Sequence, residues 1–182
     1  MEEHYGIYCQ GVEKYNALAE KLHDLHHRPG AKATIDIPSL KIDVIALLAA
    51  IRNHELYFDM LGSGPTEPPA DFSAVVTRHF ATFDAYLSDL RQTAVASRGW
   101  TWTAWDPTEE RLFNFIGGAH HGFPLWSATP ILAIDLFEHA YFYDYGWRKN
   151  QYVDAIINNL NWPRIAQRYN AVKVRRLSPE TA

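Results

Sequence analysis

Apolar and aromatic side chains near the start of the chain fall at Tyr5, Tyr8, Val12, Tyr15, Leu18, Leu22 and Leu25. This is the i, i+3, i+4, i+7 stripe of one long helix from Glu2 to about His27. Arg28-Pro29-Gly30 ends it, because Pro cannot continue the hydrogen-bond ladder and Gly accepts the backbone that a helix end needs. After Ile37-Pro38-Ser39, where Ser39 can cap, Leu40 to Leu61 is Ala/Leu-rich and reads as a buried second helix carrying Asn53-His54 near its end. Gly62-Ser63-Gly64-Pro65 breaks it; no strand precedes these glycines and no third glycine follows, which excludes a nucleotide-binding loop. Asp71 to about Ala96 keeps a helical period through Phe72, Val76, Phe80, Phe83, Leu87 and Leu90 and predicts a third, single helix.

After Gly99 the period changes to two. Trp100 to Trp105 alternates and stops at Asp106-Pro107, Arg111 to Ile116 is a second short run, and the two predict a hairpin, with a third strand over Ile131 to Ile134. Asn150 to Tyr169 predicts one or two further helices, Pro163 opening the second. Internal repeats and low-complexity tracts are absent. The expected fold is α+β: an N-terminal long-helix hairpin over residues 1–64, then a C-terminal unit over 65–182 with a small three-stranded antiparallel sheet and surrounding helices.

Composition narrows the class. The 182 residues, 47% hydrophobic and 21% charged, are enough for a core without disulfide or metal staples, and the 14% aromatic share predicts a bulky core or interface. A net charge of −4 gives no global attraction to nucleic acid or to an anionic membrane, so neither is an expected partner. The longest apolar run, Val44 to Ile51, is too short to span a bilayer. Met1-Glu2-Glu3-His4 does not resemble a signal peptide, and a single cysteine, Cys9, suits a reducing compartment; a cytoplasmic location is expected.

The densest chemistry lies in Asp135 to Tyr145, where Asp135 and His139 stand four apart among aromatics. That spacing puts both on one side of a helical turn, and a dry aromatic setting makes an unpaired carboxylate costly. Either Asp135 caps a helix and His139 is a core histidine, or something positive sits between them. Of the nine histidines, His23, His26, His27 and His79 sit in polar or helix-end settings, whereas His4, His54, His120, His121 and His139 lie on or beside apolar segments. Several imidazoles with one carboxylate suit a first-row transition ion; zinc, iron and manganese all remain open on ligand type.

The chain resembles the iron/manganese superoxide dismutase family at several places in order. Asp135-Leu136-Phe137-Glu138-His139-Ala140-Tyr141 is similar to the family's Asp-x-Trp-Glu-His-Ala-Tyr, and Asn53-His54 with Tyr57-Phe58 is similar to its second-helix stretch. Gly99-Trp100-Thr101-Trp102, Asn158-Asn159-Leu160-Asn161-Trp162 and Glu3-His4-Tyr5-Gly6 complete the likeness, which spans nearly the whole chain. It implies one iron or manganese ion per subunit, between the two halves, held by His4, His54, Asp135 and His139, with iron favoured. The substrate implied is superoxide, disproportionated to dioxygen and hydrogen peroxide. Counting along the strand from Leu112 puts the group that holds the metal's solvent ligand at His120, with neighbouring His121 as fallback; Ala50, where some members keep a Gln, has nothing to donate. Glu138 is implied to bridge to the His139 of a second copy, which predicts a homodimer or tetramer.

The chain also departs from the family. The first helix carries Tyr8-Cys9 and Val12 where a His-His pair and a gateway Tyr are usual, and Phe142 replaces the partner tyrosine, so both ends of one interface contact differ together. Tyr8 or Tyr15 is expected to supply the missing phenol. His4 is expected in an uncapped, fraying first turn that a metal would have to hold. Arg148, Lys149 and Arg164 are candidates for local positive potential. Two other functions compete: an assembly subunit of the same fold without turnover, and an oxygen-activating iron protein, which would want one ligand fewer.

Overall fold

The computed structural model describes residues 1–27, 37–62, 64–120 and 125–173. Its elements in order are α1 (Glu2–His27), α2 (Ile37–Asp59), α3 (Ala70–Phe80), α4 (Phe83–Ala96), β1 (Trp100–Asp106), β2 (Arg111–Gly117), β3 (Thr129–Asp135), α5 (Glu138–Tyr145), α6 (Lys149–Asn158) and α7 (Trp162–Lys173). The α+β expectation holds: a helical hairpin leads into a three-stranded antiparallel sheet ordered β2-β1-β3, with the remaining helices around it.

The sheet dictates where chemistry can collect. β1 is central, and its first residue, Trp100, pairs with Gly117 at the end of β2 and with Asp135 at the end of β3. Both chain exits therefore leave from one edge of the sheet. Trp100–Trp105 alternates in residue type, yet every residue of β1 is buried, because strands flank it on both sides and helices cover its faces. β3 is an edge strand, and it tolerates Pro130 next to a register slip opposite Thr103 and Ala104.

The stretch expected as one helix from Asp71 to Ala96 is two. Ala81 adopts φ 68°, and Thr82 then caps α4, its Oγ1 accepting from the Ala85 N–H at 3.0 Å. A hydrophobic period cannot register such a break when both halves face one core. α2 also differs from expectation: Leu40, Val44, Ile51, Leu56 and Tyr57 are buried, but Ile42 and Ile45 on its other side are exposed. On α1 the apolar stripe is at most half-buried and Tyr5 is exposed; among the residues of that helix whose burial is described, His4 is the buried one. In its first turn the Tyr5 N–H donates to the Met1 carbonyl at 2.9 Å, and Glu2 and Glu3 complement the helix dipole.

The lower end of α2 is tied to the C-terminal helices. Gly62 N–H donates to the Asn159 carbonyl and Asn161 N–H to the Met60 carbonyl, each at 2.8 Å, and the Arg164 guanidinium forks onto Asp59. These links hold the turn of α2 that carries His54 against the rest of the molecule. Among the described residues no helix is long and apolar enough to cross a membrane.

Candidate metal centre

Three segments far apart in sequence meet at the exit edge of the sheet. α1 brings His4 in its first turn, α2 brings His54 in its last turns, and the β3-to-α5 junction brings Asp135 and His139. Asp135 is the last residue of β3, not part of a helix. Its nearness to His139 arises because the chain turns at Leu136-Phe137 before α5 begins, and Asp135 Oδ1 accepts from the Phe137 N–H at 2.9 Å to fix that turn. The i, i+4 spacing was legible, but its helical explanation is replaced by a strand-to-helix corner.

The ligand atoms of His4, His54, Asp135 and His139 all lie within 4.8 Å of one another, the one such group among the described residues. His4 Nε2 and His139 Nε2 are each 3.1 Å from Asp135 Oδ2, and His54 Nε2 is 3.4 Å from the same oxygen. The buried His54 Nδ1 donates its proton to the Ala50 carbonyl at 2.7 Å, so Nε2 presents a lone pair toward a carboxylate oxygen and makes no hydrogen bond. Two electron-rich atoms facing each other in a buried place repel unless a cation lies between them. Donors bound at about 2.0–2.1 Å at right angles would stand roughly 3 Å apart, close to the spacing seen. The donor set and the geometry therefore fit a first-row transition ion.

Burial alone would push the Asp135 carboxyl pKa up. Its contacts with His139, His4 and His54 outweigh that and hold it well below the usual carboxylate range. His4 goes the other way from what a carboxylate partner would do: burial lowers its imidazole and the Asp135 contact only partly compensates. These two shifts favour a neutral His4 imidazole beside a charged Asp135 carboxylate, the states in which such groups ligate metals. Behind them, the buried Tyr152 hydroxyl donates to the Asp135 carbonyl at 2.8 Å and lies 3.2 Å from the Tyr57 hydroxyl, while the Tyr57 ring packs on His4 at 5.1 Å.

His120 follows β2 by three residues and stands beside the cluster, its ring 5.9 Å from that of His54. The Trp100 indole N–H donates to its Nδ1 at 3.0 Å, so in the neutral ring the proton sits on Nε2. Its ring stacks on Phe137 at 4.5 Å, and Phe137 stacks on His139 at 5.6 Å. Asn53 fixes its backbone: the amide Nδ2 donates to the His120 carbonyl at 2.9 Å, while Oδ1 accepts from the Trp102 indole at 3.1 Å. Sequence reasoning missed the roles of Asn53, Trp100, Trp102 and Tyr152, though an amide beside a histidine in an apolar helix and the Trp100-Thr101-Trp102 run were signals. The fallback residue His121 lies outside the described residues.

A cleft of about 680 Å³ between α1 and α2 opens onto the cluster, lined by Ile7, Tyr8, Leu18, Leu47, Ile51, His54, His120 and His139. Tyr8 is at this mouth and Tyr15 is not among its lining residues. The Tyr8 hydroxyl donates to Glu55 at 3.3 Å, and its pKa is raised by burial and by that carboxylate. Glu138 opens α5, exposed and adjacent to His139. Arg164 is committed to Asp59 and Arg148 to Gln151, and Lys149 donates to the Ser97 carbonyl.

Residues 68–168 match the family model of the C-terminal domain of iron/manganese superoxide dismutases. The iron superoxide dismutase of Aquifex aeolicus is 32% identical over 174 residues, covering 93% of this chain and 82% of the relative. That of Cupriavidus metallidurans is 30% identical over 173 residues, covering 93% and 84%. A manganese superoxide dismutase of Listeria ivanovii is 27% identical over 180 residues, covering 94% and 86%.

Proposed function

Since the chain belongs to the iron/manganese superoxide dismutase family, we propose that it disproportionates superoxide to dioxygen and hydrogen peroxide at one iron or manganese ion per subunit. The observation that carries this is the convergence of three imidazole Nε2 atoms on Asp135 Oδ2, with the His54 Nε2 left without a hydrogen bond. His4, His54, Asp135 and His139 are the ligands, set between an N-terminal unit of residues 1–64 and a C-terminal unit of residues 65–182. When bound, the ion supplies the one-electron chemistry that oxidises one superoxide and reduces a second.

The chain's own residues do the rest. Asp135 supplies the single negative ligand charge, and its low carboxyl pKa keeps that charge in place. His120 holds a proton on Nε2, in a tautomer that the Trp100 indole imposes, and this N–H orients solvent and tunes the ion's potential. Tyr8 stands at the cleft mouth in place of the family's usual gateway phenol, fixed by Glu55. The cleft admits a small anion while its apolar walls limit bulk water.

The working form is a homodimer or a tetramer, in which Glu138 bonds the His139 of a second copy. Exposed Phe142, Tyr143 and Trp147 at and beyond α5, Tyr143 and Trp147 at 85% and 84%, support a covered surface there. Iron is favoured over manganese because a histidine supplies the outer donor, and the location is cytoplasmic because one cysteine fits a reducing compartment.

Metal analysis joined to a superoxide-consumption assay tests the function. Stoichiometric iron or manganese with rapid turnover is the expected result; a metal-free chain, or a loaded chain without turnover, would overturn it. Sedimentation of the Glu138→Ala variant tests the bridge, and reconstitution with each metal tests the preference.

A further inference from the structure

His23 and His27 lie one turn apart in the last turns of α1, away from the cluster that α1 serves with His4. Residues four apart on a helix present their side chains on one face. Here the two imidazoles stack, centroids 4.0 Å apart and planes 22° apart. The Nδ1 of His27 is bonded, and that of His23 faces a carboxylate beyond hydrogen-bond reach. His27 Nδ1 donates to the His23 carbonyl at 2.8 Å, and His23 Nδ1 lies 4.0 Å from the Asp24 carboxylate. An imidazole that gives its Nδ1 proton to a carbonyl or carboxylate keeps Nε2 as a lone pair, and this is the arrangement that ligating histidines adopt.

We infer that the C-terminal end of α1 is a second, exchangeable metal site, in which His23 and His27 clamp one late first-row divalent ion through their Nε2 atoms. Imidazole pairs at i, i+4 suit nickel, copper and zinc, and affinity for such nitrogen donors rises along the series toward copper. Both rings are exposed, so solvent completes the coordination and the ion can come and go. The site has no part in the ligand set proposed for the main centre.

The test uses the protein with its main site already filled, titrated with Ni²⁺ by calorimetry. One further ion per chain is expected. His23→Ala and His27→Ala each weaken its binding by about tenfold or more, and Asp24→Asn, which neighbours only the Nδ1 of His23, weakens it less. In parallel, paramagnetic Ni²⁺ broadens the imidazole signals of His23 and His27 before those of any other histidine. Far-ultraviolet circular dichroism shows whether each variant keeps its helices. No second ion taken up, affinity unchanged in either histidine variant, or broadening that starts elsewhere would overturn the site.

Discussion

Asp135→Asn separates the metal role of this residue from its structural one. The substitution keeps the side chain's shape and its acceptor for the Phe137 N–H, but it removes the charge and turns the atom facing three imidazoles into a donor. In the metal-free protein two 3.1 Å contacts to a charged oxygen become neutral ones. At about 1.5–3 kcal/mol for a charge-assisted bond against 0.5–1.5 for a neutral one, this costs about 2 kcal/mol. Against it stand partial relief from burying a carboxylate at 0% exposure and a 3.4 Å contact with His54 that becomes a donor meeting a lone pair. The metal-free melting temperature therefore moves little. The metal-dependent increment behaves differently. At a free metal concentration about 100 times Kd, binding adds about 2.7 kcal/mol, or about 5–11 °C for a chain of this size. Losing the anionic ligand by a factor of about 100 brings the metal to its Kd and leaves about 0.4 kcal/mol, or about 1–2 °C. Calorimetric scans of both chains with and without iron or manganese measure these increments, and each chain is its own reference. A variant that keeps the full increment would refute the assignment of Asp135 as a ligand.

Three further outcomes follow from the same geometry. His120→Gln keeps the metal but shifts its potential and the pH profile of superoxide consumption; Trp100→Phe moves the same profile in part, at a stability cost of about 1–3 kcal/mol for the unsatisfied His120 nitrogen, and an unchanged profile in both removes His120 from the chemistry. Gly99→Ala places a Cβ 2.5 Å from the Gly117 carbonyl and 3.0 Å from Gly118, backbone that cannot rotate away, and is expected to cost more than about 2 kcal/mol in urea unfolding; an unaltered midpoint would show that the β1–β2 exit has slack. In the metal-free protein His4 has a folded pKa below its unfolded value, so the unfolded chain takes the proton first and stability falls as pH drops below about 6.5. Asp135, also depressed, adds its loss only below the ordinary carboxylate range, at much lower pH. Chemical unfolding at several pH values reads this, and His4→Gln flattens the slope between about pH 6.5 and 5, by at most about 1.4 kcal/mol per pH unit.

Much of the fold was legible because its signals are local. The turn to period two at Gly99 and the opening of α7 near Pro163 each depend on neighbours within a few residues. The errors share one cause: a hydrophobic period reports which residues face a core, and nothing about how the backbone gets there. α3 and α4 present Val76 and Leu90 to the same core, so the φ of 68° at Ala81 that parts them leaves the period intact. β1 alternates in residue type, yet Thr101 and Thr103 are as buried as Trp100 and Trp102, because strand order is a non-local fact.

The candidate site divides along the same line. His4, His54, Asp135 and His139 are readable as metal-loving types, but what brings them to one point is the register that sets Trp100 opposite both Gly117 and Asp135. That register releases His120 and Asp135 from the same edge of the sheet, and Asn53 then closes the gap by bonding the His120 backbone and the Trp102 indole together. Asn53 adjoins His54, so one turn of α2 carries both a proposed ligand and the latch for the neighbouring proton donor. Asn53→Ala is accordingly expected to disturb His120 while leaving the four-ligand cluster in place. The superoxide pH profile should move as it does for Trp100→Phe, and metal content should stay at one ion per chain. Loss of the metal together with the profile would mean that the latch holds the whole cluster, and that His120 and the ligands are not separable parts.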